Sequence, residues 1–444
     1  MSNNIFGKHD ENTLEQFREV EKTATKAALM PDGHFGYIMP VGGVAGYRNL
    51  VSVHGVGYDI ACGNAALKTD MKLSDLGKSP EKLNFMLTRI ADEVFSSLSF
   101  GIGLNNKSID SPRDHALFDS PRWKLIPRAY KNQLFDKARE QLGTIGSGNH
   151  YVDIFVDEED YLWVGVHFGS RGFGHGVATA FLAIGQGGQW GDKKPEAPVF
   201  LNLLSAAGSD YWELMTLAGE YAYAGREWVA RKVVDIIGAK EVELVHNHHN
   251  FAWKEKHAVG CTIGEDFLRV RLANYTIEEL VVVRKGATPA FPYQKGFVGG
   301  SMGDNAVILE GRDCRLPTDS DFDGLDIEHF RQTDAMFSTV HGAGRVMSRT
   351  EAAGKRNRKT GELKLDKETG LPVKPPRVIQ TEVDQWLRNV GVILRGGGLD
   401  EAPQAYRRLP EVLGYMEENV KILHTLKPLV VCMAGANEFD PYKD

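Results

Sequence analysis

Cysteine is scarce in this chain. The four that occur, at 62, 261, 314 and 432 of 444 residues, are too far apart for a disulfide framework or a Cys-x-x-Cys knuckle. Long apolar runs are missing too, and so is any leader-like segment, so a reducing cytoplasmic compartment and no membrane partner are expected. Positive charge is not in excess: 52 Lys and Arg face 59 Asp and Glu, for a net charge of −7. A uniformly basic nucleic-acid coat is thereby excluded, and any polyanion must be held by a local cluster of cations or by metal ions. No fixed period recurs, which argues against a repeat array.

What the chain does have is glycine, 48 residues of it, much of it beside ionisable groups. The densest stretch is His54-Gly55-Val56-Gly57-Tyr58-Asp59-Ile60-Ala61-Cys62-Gly63, where a carboxylate and a thiol lie three positions apart in a glycine-rich turn with Val51, Val53, Ala65 and Leu67 as flanking strand. Such a pair can serve a transition metal, and a thiolate can bridge two. A turn-forming Asp beside a small core Cys is the plainer alternative. Asn149-His150, His167-Phe168-Gly169 and His248-His249-Asn250 supply further ligands of a mix that suits Mn, Zn, Fe or Co better than Mg or Ca.

Helical spacing predicts a helix over 13–29, stopped at Met30-Pro31, with further helices over 74–96, 128–142 and 203–237. Residues 97–120 read as a polar loop and 176–198 as a Gly/Gln/Lys-rich connection. Strands are expected around Val164, over 241–245, at 281–283 and around Phe297, each running into a glycine turn. Arg171 follows His167, and Arg284-Lys285 precede Gly286, as groups able to meet phosphate. In 341–349 a histidine sits among Gly342, Ala343 and Gly344 with Arg345 and Arg349 behind it. That arrangement suits a reactive imidazole lying against a phosphorylated partner, or alternatively a buried, hydrogen-bonded histidine.

The segments M-P-D-G-H-F-G-Y (30–37), G-V-G-Y-D-I-A-C-G (55–63), G-S-G-N-H (146–150), V-H-F-G-S-R-G-F-G-H (166–175), H-H-N (248–250), R-K-G-A-T (284–288), G-S-M-G (300–303), H-G-A-G-R-V-M-S-R (341–349) and E-A-P-Q-A-Y (401–406) occur in this order. Together they resemble the RtcB-type RNA ligases, over residues 30 to about 435. Members of that family join RNA 2',3'-cyclic phosphate or 3'-phosphate ends to 5'-hydroxyl ends with GTP and two manganese ions. The resemblance implies Asp59, Cys62 and His150 on one ion and Cys62, His167 and His249 on the other. His341 is the implied nucleophile, forming a histidine-guanylate that is passed to the RNA 3'-phosphate. It also implies a GMP site built from Asn149, His150, Tyr151, Val152, Asp153, His249, Asn250, Gly299, Gly300, Ser301, Met302, His341, Gly342, Ala343, Gly344 and Tyr406, with Asp32, Arg171, Lys285 and Arg345 as phosphate or RNA contacts. Partners are then broken RNA ends, GTP and an activating protein, with the chain a monomer.

The sequence departs from the family pattern in three places. Asp153 stands where the family has Glu, Ala434 replaces a lysine near the base, and Asp304-Asn305-Ala306 replaces Thr-Ala-Ser. Lys443, in the extension 436–444, is a candidate substitute for the lost lysine. An insertion at about 354–378 carries eight Lys/Arg against three Asp/Glu over 355–377, net +5, with two Thr-Gly pairs that suggest a hairpin. If it binds RNA, neutralising Lys355, Arg356, Arg358 and Lys359 weakens RNA affinity without altering nucleotide uptake. Three other readings use the same residues: a nucleotidyltransferase that caps 3'-phosphates with relaxed nucleotide choice, a di-metal phosphoesterase, and a non-catalytic RNA-end binder. The expected fold is α+β, mixed sheets packed with helices, in one catalytic body over 1–444.

Overall fold

The computed structural model describes residues 4–260, 276–313, 327–357 and 361–435. Cys261, Cys314, Arg358, Lys359 and the extension with Lys443 lie outside these. The architecture is α+β with mixed sheets, as expected. Strand Gly63–Lys72 lies deep in the larger sheet, between Tyr161–Phe168 and Glu241–His248. Ala65 and Leu67 on one face of it pack with Val229 and Val233 of helix Ala206–Ile237, while Ala66 on the other face packs with Phe297 and Ile308. Both faces are covered, which is why the strand is apolar without alternation. The 16-residue strand Val420–Gly435 lets the sheet curl: its first half pairs with Ala306–Gly311 and its second with Tyr151–Val156.

A second, antiparallel sheet has the order Lys26–His34, Val41–Tyr47, Thr276–Lys285, Asn250–Val259. The chain passes from one sheet to the other between strands Glu241–His248 and Asn250–Val259, so His249 stands at the crossover.

Three local expectations are corrected. The helix expected over 13–29 spans Glu11–Thr23, and Lys26–His34 is a strand that contains Pro31. Proline is tolerated there because the strand is at the sheet edge and its pairing shifts between Leu29 and His34, so no ladder donor is lost. The 176–198 connection begins inside helix Arg171–Gly185, whose buried Phe173, Val177 and Phe181 are diluted in sequence by Gly and Ala. The 74–96 helix is two pieces, Leu73–Leu76 and Pro80–Ser97, because Ser79 caps a new start by accepting from the Lys82 N–H at 3.2 Å.

The basic insertion folds back on itself, with bridges Arg356 to Leu363 and Leu365 to Pro372. Its Lys355, Lys364, Lys367 and Lys374 are exposed. Among the described residues no helix is long and apolar enough to cross a membrane.

Candidate active site

A cavity of about 870 Å³ lies where the two sheets meet, lined by residues from Asp10 to Met433. Four strand ends converge on it. Cys62 precedes Gly63–Lys72, His150 precedes Tyr151–Val156, His167 is next to last in Tyr161–Phe168, and His249 follows Glu241–His248. Register aligns them: Gly63 pairs with both Phe168 and His248, and Tyr151 pairs with His167. Cys62 is also tied to the crossover by its own carbonyl, which accepts from the N–H groups of His249 at 2.8 Å and Asn250 at 3.2 Å.

The side chains meet accordingly. Cys62 Sγ lies 3.3 Å from His167 Nε2 and 3.6 Å from His150 Nε2, and Asp59 Oδ2 is 3.2 Å from His150 Nε2. His167 Nδ1 lies 3.0 Å from the Asn149 carbonyl, to which it donates, so its Nε2 lone pair faces the sulfur. The His249 ring is 5.2 Å from His167 and 4.9 Å from His341, and its Nδ1 is buried with no hydrogen-bond partner. Burial pushes the Cys62 thiol well up, and Asp59 adds to this. Burial also holds the His167 and His249 imidazoles well below their usual range. The Asp59 carboxyl is held low despite burial, because His150 bonds to it and favours its charge. Buried neutral imidazoles, a carboxylate and a thiol that only a cation would ionise form a donor set that fits soft or borderline divalent metals.

Beside this cluster stands His341, delivered by the short strand Ser338–Val340. Its Nδ1 lies 2.6 Å from Asp32 Oδ2, which also accepts from the N–H groups of His341 at 3.0 Å and Gly342 at 3.3 Å. The ring therefore holds its proton on Nδ1 and keeps a lone pair on Nε2. Gly344 makes the approach possible: at φ 75°, a Cβ there would come within 2.4 Å of the Asp32 carbonyl.

Further along the cavity are Tyr151 and Asp153, whose Tyr151 OH and Asp153 Oδ1 are buried without partners. Burial pushes the Asp153 carboxyl well above its ordinary range. Asn149, Asn250, Gly299 to Met302, Gly342 to Gly344 and Tyr406 also line the space. Arg345 and Lys285 are there too, each already engaged: Arg345 donates to Tyr406 Oη and Glu401, and Lys285 to the Tyr37 carbonyl at 2.5 Å.

Three expected contacts are corrected. Val152 points into the core with Ile154 and Val164, as alternation along the strand requires once Tyr151 and Asp153 face the cavity. Asp32 is fully buried against His341 rather than set toward a substrate. Arg171 stands behind His150, with Nη1 3.1 Å from its Nδ1.

The long helix hides a residue that its sequence presents as part of an ordinary core helix. Arg226 is fully buried and donates to the Ala61 carbonyl at 2.9 Å, the Phe168 carbonyl at 2.5 Å, His246 Nε2 at 2.8 Å and His248 Nδ1 at 2.9 Å. It ties together the segments that carry Cys62, His167 and His249. The five polar residues at 246–250 are thereby divided: His246 and His248 serve Arg226, and His249 and Asn250 line the cavity. An Arg within an apolar helix stripe is the one signal of this in the sequence.

A sequence model of the tRNA-splicing ligase RtcB family matches residues 13–434. The chain belongs to that family. Membership makes it an enzyme of the RNA ligase class. It is 29% identical to a protein named tRNA-splicing ligase RtcB of Archaeoglobus fulgidus, over 91% of this chain and 86% of the relative. It is 27% identical to the tRNA-splicing ligase RtcB of Nanoarchaeum equitans, over 95% and 91%. With the RNA-splicing ligase RtcB of Escherichia coli K12 the identity is 26%, over 92% and 90%.

As an RtcB family member with so many buried imidazoles, the metal-free protein is expected to be acid-labile. Burial lowers His34 and His54 to about 4, and the Val199 N–H donates to His54 Nδ1 at 2.8 Å, which requires the neutral ring. Between that value and the ordinary 6.5 the unfolded chain binds the extra proton. Stability is therefore full above about pH 6.5 and is lost as pH falls toward 4, by up to roughly 3 kcal/mol per histidine. Urea unfolding from pH 7 to 4 should show this fall, and His54→Gln should reduce its slope.

Proposed function

We propose that this enzyme joins RNA 2',3'-cyclic phosphate or 3'-phosphate ends to 5'-hydroxyl ends, with His341 as the nucleophile. The observation that carries the reading is the Asp32–His341 bond beside the Cys62 cluster. Because Nδ1 donates to Asp32, Nε2 is free to attack the α-phosphorus of GTP, forming a P–N bond and expelling pyrophosphate. Water first opens a 2',3'-cyclic end by breaking its 2'-O–P bond, and an oxygen of the RNA 3'-phosphate then displaces the imidazole. The 5'-hydroxyl, losing its proton, attacks the activated RNA phosphorus and releases GMP. Asp59, Cys62 and His150 would hold one Mn²⁺ and Cys62, His167 and His249 the other, and bound ions would supply Lewis acidity toward phosphoryl oxygens. A single catalytic body belongs to the same proposal, and a lining that runs from Asp10 to Met433 supports it.

Nucleotide choice is relaxed in this reading. Ala434 packs into the core beside Val152 and Cys432, so no cation from that position meets the base. A carboxyl pushed up by burial, as Asp153 is, can both donate and accept, and so pairs with more than one base edge. Ser301 Oγ donates to Asp304 at 2.6 Å, and Arg408 donates to the same carboxylate at 2.5 Å, so the residue that replaces the family's threonine occupies the serine hydroxyl. Mass spectrometry after incubation with Mn²⁺ and GTP, ATP or CTP tests both points. Adducts on His341 from more than one nucleotide are expected; labelling by GTP alone would rule out the relaxed choice, and no labelling would rule out the ligase mechanism.

The basic hairpin is proposed to hold RNA. Replacing Lys355, Lys364 and Lys374 by Gln should weaken RNA binding and flatten its salt dependence by about one unit of slope for each phosphate no longer neutralised, with nucleotide uptake unchanged. Filter binding at several salt concentrations would measure it.

A further inference from the structure

Two aromatic rings stand out at the mouth of the cavity with no role in the chemistry above. Phe35 is 64% exposed and Tyr37 46%, on either side of Gly36, and both line the cavity that holds His341. A pair of exposed aromatic rings at the rim of a cavity forms the kind of apolar patch that marks a ligand-binding groove. This loop is also built to keep its shape. Gln16 of helix Glu11–Thr23 pairs with both backbone groups of Gly36, accepting from its N–H at 3.0 Å and donating to its carbonyl at 2.5 Å. From the other side, Lys285 Nζ donates to the Tyr37 carbonyl at 2.5 Å. The same carbonyl accepts from the Met39 N–H at 2.6 Å across Ile38, which holds φ at 60°. A β-branched residue at positive φ is strained, and such strain persists only where the surroundings enforce it.

We infer that Phe35 and Tyr37 form a preorganised stacking platform for an unpaired base of the RNA at or next to the reacting end. The inference rests on the ligase reading above and adds a base subsite to it. Two observations and one general property of stacking favour a base. Tyr151 and Asp153 of the proposed nucleotide site come from the larger sheet, as do Val431 and Met433 of the cavity lining, whereas the 34–38 loop and Lys285 belong to the smaller one. The platform therefore comes from the sheet opposite Tyr151 and Asp153, the residues proposed to meet the base of the nucleotide. Phe35 also borders a groove in which Arg18 and Lys22 offset Glu15 and Glu19, so no excess of positive charge is left there for a backbone phosphate and the ring face is what it offers a polynucleotide. Aromatic stacking accepts any base, which suits an enzyme that must take ends of differing sequence.

The test is a cycle of protein and RNA variants read by fluorescence anisotropy. Wild type, Phe35→Ala, Tyr37→Ala and Phe35→Trp are each titrated with a 3'-phosphate oligonucleotide and with the same strand made abasic at its last two positions. Wild type should bind the abasic strand about tenfold or more weakly, the magnitude expected for losing one stacked base. Phe35→Ala should bind both strands equally, at the weak level, and Phe35→Trp should restore the difference. In joining assays the alanine variants should raise KM for RNA more than they lower kcat. Equal discrimination against the abasic strand by wild type and both alanine variants would overturn the platform. Nucleotide uptake by His341, measured on the same samples, reports on the ligase reading separately: if it proceeds normally while the cycle shows no coupling, only the platform fails.

Discussion

His341→Ala is expected to abolish covalent nucleotide uptake and RNA joining together, by about 10⁴-fold or more, because no other described group in the cavity is set up to form the P–N bond. The reason lies in the Asp32 contact. A carboxylate can only accept from Nδ1–H, so the lone pair is left on Nε2, the proposed nucleophile, and the N–H groups of His341 and Gly342 converge on the same oxygen. Asp32→Asn should then cost about a hundredfold or more, since an amide keeps an acceptor there but loses the negative charge that stabilises the imidazolium formed as Nε2 bonds to phosphorus. Measuring labelled nucleotide bound to each variant, with circular dichroism to confirm folding, separates these cases. A phosphoesterase using water would retain hydrolysis in His341→Ala, and a binding protein would form no adduct in the wild type.

Cys62→Ser is the second large effect. The sulfur touches His150 on one side and His167 on the other, so a single substitution removes the shared ligand of both proposed cation positions. Serine is close in size, but its hydroxyl does not ionise at neutral pH as a metal-bound thiol does. Outer-shell changes commonly lower metal affinity by about 10–100-fold, and losing a bridging ligand should exceed that. Metal content after dialysis should fall from two ions per chain, and a Co²⁺-loaded sample should lose its thiolate charge-transfer band. Retention of both ions, or absence of that band in the wild type, would remove Cys62 from the metal site. The acid-lability experiment complements this one, because it reads the same type of buried neutral imidazole without metal.

How much of the site could be read from the chain depended on the type of residue. Cys62, His150, His167, His249 and His341 each lie within two residues of glycine, Asn or Ala in short motifs, and all five line one cavity. Arg226 could not be read in this way. It lies in a helix whose Tyr211, Leu214, Leu217 and Val233 look like ordinary core, and its partners include backbone carbonyls at Ala61 and Phe168, which have no sequence signature. The strand Lys26–His34 is hidden for a related reason: Pro31 is a local stop signal, and only the sheet edge and its shifted register make it harmless.

The sequence by itself determined the family and the candidate ligands and nucleophile, because side-chain chemistry, glycine freedom and the ordered motifs are properties of residues and their neighbours. The tertiary structure decided which groups act on which. Asp32 became the partner of His341 and Arg171 that of His150, Val152 turned to the core, and His246 and His248 were drawn to Arg226. These assignments join residues up to 309 positions apart. They depend on strand register, sheet crossover and burial, and those long-range pairings are set by the packing of the whole chain rather than by any local stretch.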